Sequence, residues 1–100
     1  MLVDTMLAAL ATMRQRLMRI DGAYTADQAQ RRLNVISSMR DYVKTGDAQC
    51  FADYCQRNLA GGMGDLMVDV LEELYEELGL KSSDTWDEFE ALFLTAKETV

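Results

Sequence analysis

No proline interrupts the hundred residues, and apolar side chains recur at three- and four-residue steps between glycines. Proline most often ends helices and marks turns or edge strands, so a chain without it reads as long helices divided by glycine. Val3, Met6, Leu7, Leu10, Met13, Leu17 and Ile20 make the first apolar stripe, which predicts a helix over about residues 3–20, ending at Asp21 and Gly22. Thr25 and Gln28 have the spacing of a capping box, in which the threonine hydroxyl accepts from the Gln28 amide and the glutamine side chain reaches back. They start a second helix over about 26–44, closed by Gly46.

Asp47 is placed to cap a shorter helix over about 48–60, with Phe51, Tyr54, Cys55 and Leu59 inward and Gly61 and Gly62 stopping it. A fourth helix, about 64–78, is expected to bury Met63, Met67, Val70, Leu71, Leu74 and Leu78 before Gly79. Thr85 and Glu88 offer another capping box, starting a helix over about 86–97 with Trp86, Phe89, Leu92, Phe93 and Ala96 on one stripe. No alternating stretch is long enough for a strand, and the connectors are short. The expected fold is all-α: a compact bundle of four to five amphipathic helices in one domain, residues 1–100.

Histidine is absent, which removes the commonest transition-metal ligand and the only side chain that titrates near neutral pH without perturbation. Ser-His-Asp and Cys-His nucleophiles and histidine-bearing zinc sites are therefore excluded. Cys50 and Cys55 are five apart, about 140° round a helix, so they point to different faces and do not readily bridge. Two thiols without a framework suit a reducing compartment. Asp4 precedes the first apolar run and Arg14, Arg16 and Arg19 follow it, the reverse of a secretory signal, and no apolar run is long enough to span a membrane. The expected location is cytoplasmic.

The net charge of −7 is unevenly spread: residues 1–50 hold seven Arg and Lys against five Asp and Glu, while residues 51–100 hold three against twelve. A strongly negative half argues against direct nucleic-acid contact and for a basic partner, or for pairing with its own basic half. Gly61, Gly62 and Gly64 open the fourth helix, and a helix N-terminus can hold phosphate. Here a helix precedes the glycines, where phosphate loops follow a strand, and Asp65 occupies the place of the anion, so the segment reads as an interhelical turn. The outline of a helix–turn–helix fails on charge, because the helix that would enter DNA carries Asp65, Asp69, Glu72, Glu73, Glu76 and Glu77 with no Lys or Arg.

At 100° per residue, Asp65, Asp69, Glu72 and Glu76 fall in a stripe about 60° wide, flanked by Glu73 and Glu77. The like-charge pairs 65/69, 69/73, 72/76 and 73/77 and the two acids at the helix C-terminus together cost roughly 1–2 kcal/mol, with no base in the helix to offset them. A solvated surface is the ordinary fate of such charges; a cationic partner is the alternative that supplies the missing compensation. Arg32 and Arg40 project within the apolar arc of the second helix, so an ion pair with an acid of the fourth or fifth helix is expected from one of them, within the chain or between two copies. Arg16 and Arg19 lie opposite the core stripe of the first helix and are expected to be solvated. Leu66, Leu80 and Leu94, with Tyr75, fall on or beside the polar faces and are expected to form an apolar patch near the acids.

Acid–base catalysis needs carboxylates pushed apart in pKa by burial, whereas these lie on a polar face. Asp84, Asp87, Glu88 and Glu90 read as acids favoured at a helix N-terminus, and no calcium-loop spacing is present. No metal, cofactor or catalytic residue is expected. The chain thus reads as a non-enzymatic, acidic binding protein that docks the face of the fourth helix on a basic surface of a partner, such as a nucleic-acid-handling protein or a toxin. In size, helicity and charge it is similar to phage inhibitors of bacterial defence, anti-CRISPR proteins among them, and to immunity proteins. A second expectation is a self-associating structural or regulatory adaptor, a homodimer that pairs the basic N-terminal half of one copy with the acidic half of another.

Overall fold

A computed structural model describes residues 3–19, 24–46 and 64–98, and these form four helices packed together with no strand among them. The helices are α1 (Val3–Arg19), α2 (Ala26–Thr45), α3 (Gly64–Glu77) and α4 (Trp86–Glu98). The helix expected over 48–60, with Cys50 and Cys55, and the glycine turn that follows it lie outside the described residues.

Both ends of α2, the end of α3 and the start of α4 are bounded by local chemistry that the sequence carries. At the start of α2 both halves of the capping box are present: the Gln28 N–H donates to Thr25 Oγ1 at 3.1 Å, and the Thr25 N–H donates to Gln28 Oε1 at 3.0 Å. Gly46 ends α2 in the left-handed region, φ 70°, where its N–H donates to the Tyr42 carbonyl at 2.7 Å. The end of α3 is a Schellman motif: Gly79 at φ 71° donates to the Glu76 carbonyl at 3.0 Å, and Leu80 donates to the Tyr75 carbonyl at 3.0 Å. Those bonds satisfy carbonyls that the helix leaves open and turn the chain toward α4.

The capping box expected at α4 is only half formed. The Glu88 N–H donates to Thr85 Oγ1 at 3.3 Å, but the Glu88 carboxylate accepts from the Ser83 hydroxyl rather than from the Thr85 N–H. That amide donates to Ser83 Oγ instead, at 3.4 Å. Ser83 is thereby inserted between the two members of the box, and it is the one buried polar residue among the described residues.

The apolar stripes meet in one core. Met6, Leu10 and Met13 of α1, Val35 and Met39 of α2, Val70, Leu71 and Leu74 of α3 and Phe89 of α4 are all fully buried. Burial of each such side chain contributes about 1.5–3 kcal/mol, so this shared interior, rather than helix propensity, holds the bundle together. α1 packs against each of the other three helices, and α2 also packs against α3. Tyr42 ties α2 to α4 through ring contacts with Trp86 (5.2 Å between centroids), Phe93 (4.8 Å) and Phe89 (6.1 Å).

Candidate functional site

α3 is a fourteen-residue helix with no basic residue. Its apolar side, Val70, Leu71, Leu74 and Tyr75, enters the core against α1 and α2, which fixes the direction of every acid on the helix. Asp69, Glu72 and Glu76 are exposed, whereas Glu73 and Glu77 are only partly so, at the edges where α3 meets its neighbours. Of Asp65, only the backbone, within α3, belongs to the described part of the structure.

Two arginines from other helices close on this edge. Arg16 of α1 donates from Nη2 to Glu77 Oε2 at 2.7 Å, and its Nη1 lies 3.5 Å from Glu73 Oε1. The hydrogen bond and charge of Glu77 raise the Arg16 guanidinium above its ordinary pKa. Arg32 of α2 brings Nη2 to 3.6 Å from Glu73 Oε2 and Nη1 to 3.9 Å from Asp69 Oδ2. Its side chain is 12% exposed and its guanidinium stands over the Tyr24 ring, 4.8 Å from the centroid. Glu73 is thus shared by two guanidinium groups, and the three side chains border a cavity of about 30 Å³ together with Met13, Leu17, Tyr24 and Ile36.

Two expectations are corrected here and one is extended. Arg16 is exposed to solvent as expected, and in addition it pairs with Glu73 and Glu77 of α3. Tyr75 is not part of an exposed patch. It is 6% exposed, because it stands one turn after Leu71 on the same side of α3, and burial pushes its phenol pKa up. Leu66 is half-buried against the core, while Leu80 and Leu94 are exposed.

Arg40 reaches no acid among the described side chains of α3 and α4. Its Nη2 lies 3.5 Å from Asp41 Oδ1 on the same helix, and its Nε is buried with no hydrogen-bond partner. Glu72 and Glu76 have no ion pair among the described residues, and no cluster there of three or more Cys, Asp or Glu side chains is arranged to hold a metal ion. No described helix is long and apolar enough to cross a membrane.

The sequence therefore indicated the acids but missed two of the groups that organise them. Neither carried a local signal for this role: Arg16 belongs to the basic last turn of α1, which does not say which helix it meets, and Tyr24 lies outside any helix. The fold and site define an all-α bundle with one helix whose acids are divided between internal ion pairs and solvent. Neither models of known families, nor curated proteins, nor solved structures match this chain.

Proposed function

We propose that the protein is a non-catalytic inhibitor that docks the outer face of α3 on a basic surface of a partner protein, in the manner of an anti-defence or immunity protein. The observation that carries this reading is the division of the α3 acids. Glu73 and Glu77 are held by Arg16 and Arg32, Asp69 is exposed with only a 3.9 Å approach from Arg32, and Glu72 and Glu76 point outward with no ion pair among the described residues. Anchored acids fix the rotation of the helix, and the outward ones retain a charge that no base within α3 offsets. Such a surface steers a cationic partner during diffusional encounter and excludes anionic ligands from the groove it covers.

The contact set is accordingly narrower than the six acids of α3. Asp69, Glu72 and Glu76 are the contact residues; Glu73, Glu77, Arg16 and Arg32 position them. Tyr75 and Leu66 support the helix from inside rather than touching the partner. Pairing of basic and acidic halves already occurs within one chain, through Arg16 and Arg32, which favours the inhibitor over the self-associating adaptor.

The test compares affinity capture from a host lysate by the wild-type protein and by the Asp69→Asn, Glu72→Gln, Glu76→Gln triple variant, at low and high salt. A basic protein retained by the wild type at low salt and lost in the other conditions supports the reading. Its association rate, measured with purified components, should then fall steeply with ionic strength. Capture of the same proteins by the triple variant, or a flat salt response, would sink it.

A further inference from the structure

Between α1 and α2 runs a half-open groove of about 300 Å³ that shares no residue with the acidic face of α3. Its floor is apolar, formed by the buried Leu10 and Ile36, and its rim carries Ala11 and Met18. Met18 is 68% exposed, the most exposed large apolar side chain among the described residues. Each wall contributes a cation: Arg14 from α1, which has no ion pair among the described residues, and Arg40 from α2. Arg40 places Nη2 3.5 Å from Asp41 Oδ1, and its side chain is 38% exposed.

We infer that this groove binds a small amphipathic carboxylate, an anionic head on a short apolar chain. Three features select that class. Arg40, part-exposed, brings a guanidinium to the groove wall, and a carboxylate supplies the charged, two-oxygen acceptor that arginine recognises best. With Arg14 on the opposite wall, two of the residues that line the groove are cations and none is an acid. The apolar chain lies on Leu10 and Ile36 and covers Met18, removing from water a surface that the free protein leaves wet.

Size decides against a docked helix. The groove equals about ten waters at roughly 30 Å³ each, at the lower limit of small-molecule sites, and matches a carboxylate on a chain of about seven carbons. A helix is about 10–12 Å across with its side chains and cannot enter a space of this volume.

Octanoate is the direct probe, with octan-1-ol and octyltrimethylammonium as head-group controls, each titrated into the full chain by calorimetry and by amide NMR. Octanoate is expected to bind saturably, about tenfold or more tighter than octan-1-ol, and to shift the amides of Leu10 to Met18 and Ile36 to Arg40. The cationic amphiphile should not bind. Arg40→Gln should weaken octanoate about tenfold without changing octan-1-ol, and Arg14→Gln, on the exposed wall, should act in the same direction by a smaller factor. The inference is overturned if octanoate binds no tighter than octan-1-ol, if neither arginine variant alters its affinity, if the shifts map elsewhere, or if no saturable binding occurs. Because the α3 acids are not involved, failure here leaves the proposed inhibitor face to its own test.

Discussion

Arg16 of α1 and Glu77 of α3, sixty-one residues apart in the chain, are joined by a 2.7 Å hydrogen-bonded ion pair at the edge of the bundle. Both side chains retain contact with solvent, 48% and 25% exposed, so the pair is screened by salt. A double-mutant cycle with Arg16→Ala and Glu77→Gln should show favourable coupling at low ionic strength that disappears at high salt. Thermal unfolding at the two salt concentrations reads it, and coupling insensitive to salt would contradict the exposed geometry.

Arg32 is a different case, because its stem is buried and its head lies beyond hydrogen-bond distance of both acids. Its contribution is therefore chiefly packing and stacking on Tyr24, with charge as a supplement. Arg32→Ala should lower stability by about 1–2 kcal/mol, and Arg32→Leu should recover most of that loss. Urea midpoints at constant m-value measure both; equal losses would assign the effect to charge.

Gly79 adopts φ 71° with nothing within 4 Å of where a Cβ would stand. Substitution there meets backbone strain and no clash, so Gly79→Ala should cost about 1–2 kcal/mol and Gly79→Asn distinctly less. Chemical denaturation distinguishes this from a packing defect, which would cost both variants alike.

Burial raises the phenol pKa of Tyr75, with the Ser83 hydroxyl opposing the shift and the charge of Glu88 adding to it. Tyr42 is raised in the same way, first by burial and then by Glu90. The neutral phenol is thus the form the fold favours. Its stabilising share is fully present below the unfolded value of about 10 and is lost as pH climbs through the raised folded value. Urea midpoints should accordingly fall above about pH 10, and Tyr75→Phe should flatten part of that fall, leaving the share of Tyr42. A profile unchanged by the substitution would place Tyr75 outside the linkage.

Much of this fold was legible because helix periodicity and caps are local. The expected limits of 3–20, 26–44, 64–78 and 86–97 stand beside helices at Val3–Arg19, Ala26–Thr45, Gly64–Glu77 and Trp86–Glu98. Thr25 with Gln28, and Gly46 and Gly79, act where their residue types require. Tyr75 was misplaced although the signal existed, since its position follows Leu71 by four residues and shares its side of the helix. The pairing of Arg16 was not legible in the same sense. Which polar side of α1 meets α3 depends on how the two helices are rotated against each other, and no local pattern encodes that. Ser83 likewise displaces half of the Thr85 and Glu88 box through a bond that spacing alone does not announce.

The position of α1 against all three other helices bears on how the protein is made. During synthesis α1 leaves the ribosome before any helix that covers it, so Met6, Leu10 and Met13 stay wet while the following segments are translated. Protection of the nascent chain from proteases and from sticking to its neighbours can be complete only after α4 has emerged and Phe89 and Phe93 have closed over the bundle.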